Sequence, residues 1–216
     1  MKMKILESLK NITAGSEFDP STLNDSVALQ TQWSSNSTSS SNFQTHKLVQ
    51  VNPNRFEFKP TIGSRIFSAI FMIAGIAVPV IFLNIPEQSG EQPPLLGIIA
   101  FGSVFFAVGA GMYYYQSSPI VFDKLEGCYW KGRKKPDHNF GTEHTKKLCR
   151  IRSIYAVQIL KKFVSGNKSS YHCYEINLVM KNGDRLNVVA HAGEKAMKNH
   201  AAELGRFLGV PVWDGS

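Results

Sequence analysis

The sequence predicts an α+β membrane protein: a transmembrane α-helical hairpin followed by an antiparallel β-roll or barrel closed by a C-terminal helix. Three observations predict it. Two apolar blocks, 66–83 and 95–115, contain no charged residue. Short runs of alternating polarity, punctuated by glycine and asparagine, fill much of 120–191. An apolar stripe at helical spacing then runs through Met197, Ala201, Leu204 and Leu208.

The first 45 residues read as a flexible, Ser-rich segment. Lys2, Lys4 and Lys10 flank only a short apolar patch at 5–9. No continuous apolar core follows, so a secretory signal is not expected. Residues 33–43, WSSNSTSSSNF, offer little apolar surface to bury. The alternating runs His46–Val51 and Arg55–Lys59 around Asn52-Pro53-Asn54 predict a short hairpin over 46–63. Whether it joins the later sheet is open at this level.

The hairpin of helices occupies 64–116. Blocks of 18 and 21 residues reach about 27 and 31 Å as helices, matching a hydrocarbon core of about 30 Å. Tyr113, Tyr114 and Tyr115 suit the membrane interface. The connection 84–94 carries Pro86, Pro93, Pro94 and two glutamates but no base. Lys59 and Arg65 precede the first helix, and Lys124, Lys131 and Arg133 follow the second. The positive-inside rule then places both termini in the cytoplasm. Small residues at Gly75, Gly102, Ala107 and Gly111 are the expected helix-packing positions, and Pro79 is expected to kink the first helix.

Residues 117–216 read as one cytoplasmic domain. Ile120–Asp123 and Cys128–Lys131 flank a turn ending in Gly127. Residues 132–147 read as a long loop, and Leu148–Phe163 as a strand region with a break near Arg152–Ser153. Gly166-Asn167-Lys168 marks a turn, and Tyr171–Met180 presents Tyr174, Ile176, Leu178 and Met180 on one face. Asn182-Gly183 signals a tight turn into Arg185–His191. A helix over 193–208 is the last element, ended by Gly209 and Pro211.

The chain of 216 residues carries a net charge of +8, and 116–216 holds 17 Lys and Arg against 9 Asp and Glu. Lys131, Arg133, Lys134 and Lys135 cluster beyond the second helix. Two readings stand: a solvated face that enforces topology, or contact with anionic lipid headgroups. No nucleic-acid motif interleaves with these bases, so nucleic acid is not an expected partner.

No catalytic, metal or cofactor residue is assigned. Cys128, Cys149 and Cys173 are odd in number and form no CxxC, which fits a reducing compartment. His138, His144, Cys149, His172 and Cys173 lack zinc-ligand spacing. Cys173 or Cys128 with His191 lacks a nucleophile motif. Neither apolar block holds a charged side chain of the kind ion pathways use.

The runs IVFDKLEG (120–127), IRSIYAVQIL (151–160), YEINLVMKNGDRLNVVAH (174–191) and RFLGVPVWD (206–214) resemble uncharacterised bacterial membrane proteins that carry a pleckstrin-homology-like domain beside a two-helix hairpin. The likeness covers most of 46–214, and its motifs are structural. It implies a multi-pass protein of the bacterial inner membrane whose domain binds lipid, peptide or protein. The expectation is a non-enzymatic scaffold engaging a protein partner and the bilayer. The alternative is an accessory or inhibitory subunit acting through the helix pair.

Overall fold

The computed structural model describes residues 18–37, 40–84, 94–137, 144–165 and 170–216. The proline-bearing connection between the helices, residues 138–143 of the 132–147 loop with His138, and the turn at 166–168 lie outside them in whole or part. The chain divides into two units. One is Pro60–Ser118; the other combines residues up to Lys59 with Pro119–Ser216.

The second unit begins with a 3-10 turn, Pro20–Leu23, and a short helix α1, Ser26–Gln30. Asp25 caps α1, its Oδ1 accepting from the amides of Val27 (2.8 Å) and Ala28 (3.1 Å). Strands β1 (His46–Asn52), β2 (Arg55–Pro60), β3 (Ile120–Asp123), β4 (Cys128–Lys131) and β5 (Leu148–Arg150) follow. They form one sheet in that order. Asp123 builds the β3–β4 turn: its Oδ1 accepts from the amides of Leu125 and Glu126, and Gly127 takes the positive φ of 65° that closes it.

A 3-10 turn at Ile151–Ser153 carries the chain into a second sheet of β6 (Ile154–Ser165), β7 (Ser170–Met180) and β8 (Arg185–His191). The break anticipated near Arg152 is this corner. Helix α4 follows, Glu194–Leu208, presenting Met197, His200, Ala201, Leu204 and Phe207 inward. The core lies between the sheets and α4, centred on Phe58, Phe122, Tyr129, Ile176, Leu178 and Met197. Burying each large side chain contributes about 1.5–3 kcal/mol.

One open point is decided and two expectations change. First, the 46–63 hairpin joins the later sheet. β2 pairs antiparallel with β3, Arg55 opposite Asp123 through Phe58 opposite Ile120. Second, α4 is not the last element. Gly209, at φ 75°, donates to Gly205 and turns the chain into β9, Val212–Gly215, which pairs parallel with β6. The second sheet is ordered β8-β7-β6-β9, and the two sheets do not close into a barrel. Third, residues 18–37, expected within a flexible segment, lie on the second sheet.

The other unit is two helices, α2 (Ile62–Asn84) and α3 (Leu95–Gln116), both long and apolar enough to cross a membrane. Thr61 caps α2, its hydroxyl accepting from the Ser64 amide at 3.2 Å. The buried seam is Ser64, Ser68 and Gly75 on α2 against Ile98, Gly102 and Gly109 on α3. Outside it Ile66, Ile70, Ile73, Ile76, Ile99 and Val104 are exposed.

Candidate functional site

The basic cluster divides on inspection. Lys131 ends β4 half-buried, and its Nζ donates to the Val188 carbonyl at 3.0 Å. Burial holds its ammonium below the usual lysine range. It bridges from β4 to β8 and is not presented to a surface. Lys135 pairs with Glu126 at 2.7 Å. Arg133 and Lys134 are exposed.

The helix seam also differs from expectation in part. At Gly75 an added Cβ would stand 2.5 Å from the Phe106 amide nitrogen and 2.6 Å from the Gly102 carbonyl. Gly102 faces Pro79 and the Gly75 carbonyl equally closely. Ala107 is exposed, and nothing lies within 4 Å of a Cβ at Gly111. Helical geometry explains it: Ala107 and Gly111 sit about 140° and 180° round the helix from Gly102. Gly109, only about 20° away, is the close-approach position that the sequence reading missed. Its Cβ would meet the Met72 amide nitrogen at 2.7 Å.

Burial pushes up all three thiols, Cys149 to about 12, so none is poised as a thiolate nucleophile. Among the described residues no group of three His, Cys, Asp or Glu could hold a metal ion.

The most organised polar site lies elsewhere, on the face of the second sheet turned away from the core. Alternation along β7 puts Glu175, Asn177 and Val179 on this face, and β6 adds Ala156 and Gln158. Their surroundings divide it in two. At one end Ala156, Val179 and Trp213 of β9 are covered by Ala28, with Leu23, Val27 and Trp33 packed around them. Tyr155 donates its hydroxyl to Asp25 at 2.8 Å.

The other half is a polar ladder. Asn187 donates to Asn177 (3.0 Å), and Asn177 donates to Glu175 (2.9 Å) and Gln158 (3.4 Å). Arg185 donates to Gln158 (3.3 Å). Gln158, Asn177 and Glu175 are fully buried, Glu175 to 1 % exposure. Residues 32–37 bury them. The Glu175 carboxylate accepts from the Ser35 hydroxyl (2.9 Å) and from the amides of Asn36 (2.8 Å) and Ser37 (2.9 Å). In return Gln158 donates to the Gln32 carbonyl (3.1 Å), Arg185 to the Ser34 carbonyl (2.7 Å) and Lys162 to the Ser37 carbonyl (2.9 Å). Burial lowers the Arg185 guanidinium, and the charge of Glu175 opposes that shift.

Sequence reading missed this site because Glu175, Asn177 and Asn187 look like an ordinary solvated strand face. Trp33, stranded in a serine-rich run, was the available signal. Its ring packs on Phe18 (centroids 4.3 Å) and Trp213 (5.9 Å).

No family model matches this chain, and no curated protein matches it.

Proposed function

We propose that the protein is a non-enzymatic, membrane-anchored scaffold. Helices α2 and α3 cross the bacterial inner membrane, and the β domain, pleckstrin-homology-like in role, engages a protein partner on the cytoplasmic side. The observation that carries this reading is the β2–β3 ladder. The helix pair is the chain between two strands that exchange main-chain hydrogen bonds. Strands so paired share one side of a bilayer, so helices that cross it cross twice and return. The basic residues flanking the helices favour the cytoplasm for that side. The exposed apolar side chains of both helices suit lipid. Exposed bases such as Lys134 suit anionic headgroups, at about 1 kcal/mol each near the surface.

Two experiments test this. An impermeant maleimide on intact cells should label Ser89→Cys and spare Asn54→Cys; equal labelling of both overturns the topology. A mild-detergent pull-down of the full chain should yield a stoichiometric partner that is lost on removing 116–216. Recovery of the same partner with the truncated form would move recognition to the helices. That second reading, an accessory subunit acting through the helix pair, is favoured by one observation: the intramolecular seam leaves Ala107 and Gly111 uncovered.

A further inference from the structure

The segment 32–37 is held to the sheet mainly through its own main chain. Five of its hydrogen bonds to the sheet involve main-chain atoms: the carbonyls of Gln32, Ser34 and Ser37 and the amides of Asn36 and Ser37. Side-chain identity enters through the Ser35 hydroxyl, a long contact from Arg185 to the Gln32 amide oxygen (3.4 Å), and the Trp33 ring. A surface that reads a segment's main chain and one aromatic anchor recognises peptides with little regard to their other side chains.

The covered surface also suits exchange. An apolar face uncovered in water costs free energy in proportion to its area. Here the groups covered by 32–37, apart from Trp213 under the Trp33 ring, are a carboxylate, a guanidinium, an ammonium and three amides, all of which water solvates well. Opening returns those charges to water, which offsets part of the hydrogen bonding given up. Trp33 joins the apolar cluster of Ala28, Val179 and Trp213, but α1 reaches that cluster through its own Ala28 and Val27 and keeps those contacts while 32–37 lifts. A way in already exists. Between this segment and the β7–β8 turn lies a polar cleft of about 280 Å³, lined by Gln30, Gln32, Asn36, Asn182, Asp184 and Arg185.

We propose that the polar ladder of β6–β7–β8 is a peptide-recognition groove, occupied in cis by residues 32–37. Its ligand is a segment of a partner protein that takes the same path, with an aromatic residue in the place of Trp33 followed by small residues. Glu175 accepts that segment's amides, and Gln158, Arg185 and Lys162 donate to its carbonyls. This deepens the scaffold reading, on which it rests, by naming where and how the partner is held.

The probe is a fluorescein-labelled peptide of residues 29–37, added to the full chain in detergent. Trp33→Ala should loosen the resident segment and raise the peptide's apparent affinity at least about tenfold over the unaltered chain, since a blocked site binds in proportion to its open fraction. Adding Glu175→Gln should abolish the gain. Equal affinity for all three folded proteins overturns the proposal. Should Trp33→Ala not fold, hydrogen exchange on the unaltered chain decides. Amides of Asn36 and Ser37 exchanging by local opening, well ahead of the central β7 amides, support the groove. Exchange of both only with global unfolding makes the segment fixed structure and overturns it. The peptide experiment needs no native partner, so its failure leaves the scaffold reading to the pull-down.

Discussion

The main-chain amide of Asn36 donates to the buried Glu175 carboxylate at 2.8 Å, joining positions 139 apart in sequence. That bond ties a serine-rich segment, with little apolar surface of its own, to the centre of a β-sheet. It also explains why β7 is buried on both faces from Cys173 onward. One face meets the core, and the other meets residues 18–37.

Removing that carboxylate should release the segment locally. Glu175→Ala leaves the Asn36 and Ser37 amides without their acceptor, a loss of about 2 kcal/mol. Hydrogen exchange at those two amides should quicken by about thirtyfold, with far smaller change in the central β7 amides. A uniform change across the domain would mean that the effect is global.

Glycines at the helix seam should tolerate no side chain. Gly75→Val and Gly109→Val each force backbone apart and should cost about 1–3 kcal/mol, read as loss of thermal stability in detergent. Ala107→Leu and Gly111→Leu should leave that stability unchanged within about 0.5 kcal/mol. If the first pair is silent, the helices do not pack through this seam.

Acid should weaken the β domain through His200 and His191. Burial, with the charge of His191 adding to it, lowers the His200 imidazole to about 4; burial also lowers His191, against hydrogen bonds to the backbone. The unfolded chain therefore binds more protons than the folded one between about pH 6.5 and 4. Stability is fully present above that window and falls as pH drops through it. His200→Gln, which keeps an acceptor for the Leu48 amide seen at 3.4 Å, should flatten the slope. An unchanged slope in thermal melts from pH 7 to 4.5 would assign the loss elsewhere.

The cysteines should be silent in the native protein. All three are buried and their thiols are raised. Maleimide at pH 7.5 should modify them only after denaturation. Rapid native labelling of Cys149, the most strongly raised, would contradict the packing of Tyr129 and Cys149 in the core.

Much of the local structure was legible in the chain. Strands Ile120–Asp123 and Cys128–Lys131 stand where alternation and Gly127 put them. Helix α4 covers the expected stripe, although Phe207 rather than Leu208 completes its buried face. The Asn182-Gly183 turn is present but wider than a two-residue loop, with the Met180 amide reaching the Asp184 carbonyl. The apolar blocks became α2 and α3, extended by a few residues at their ends. Period, hydropathy and turn chemistry are properties of neighbouring residues, and they were readable for that reason.

The sequence by itself determined the strand regions between 46 and 191, the helix of 194–208, and which two segments are apolar enough for lipid. Only the tertiary structure decided that β2 meets β3 across the whole helical hairpin, that β9 lies parallel to β6, and that residues 32–37 cover Glu175. Those decisions rest on main-chain hydrogen bonds, whose donors and acceptors nearly every residue carries. A backbone amide leaves no mark in the sequence of the partner it will choose, so long-range pairing was settled by packing rather than by pattern.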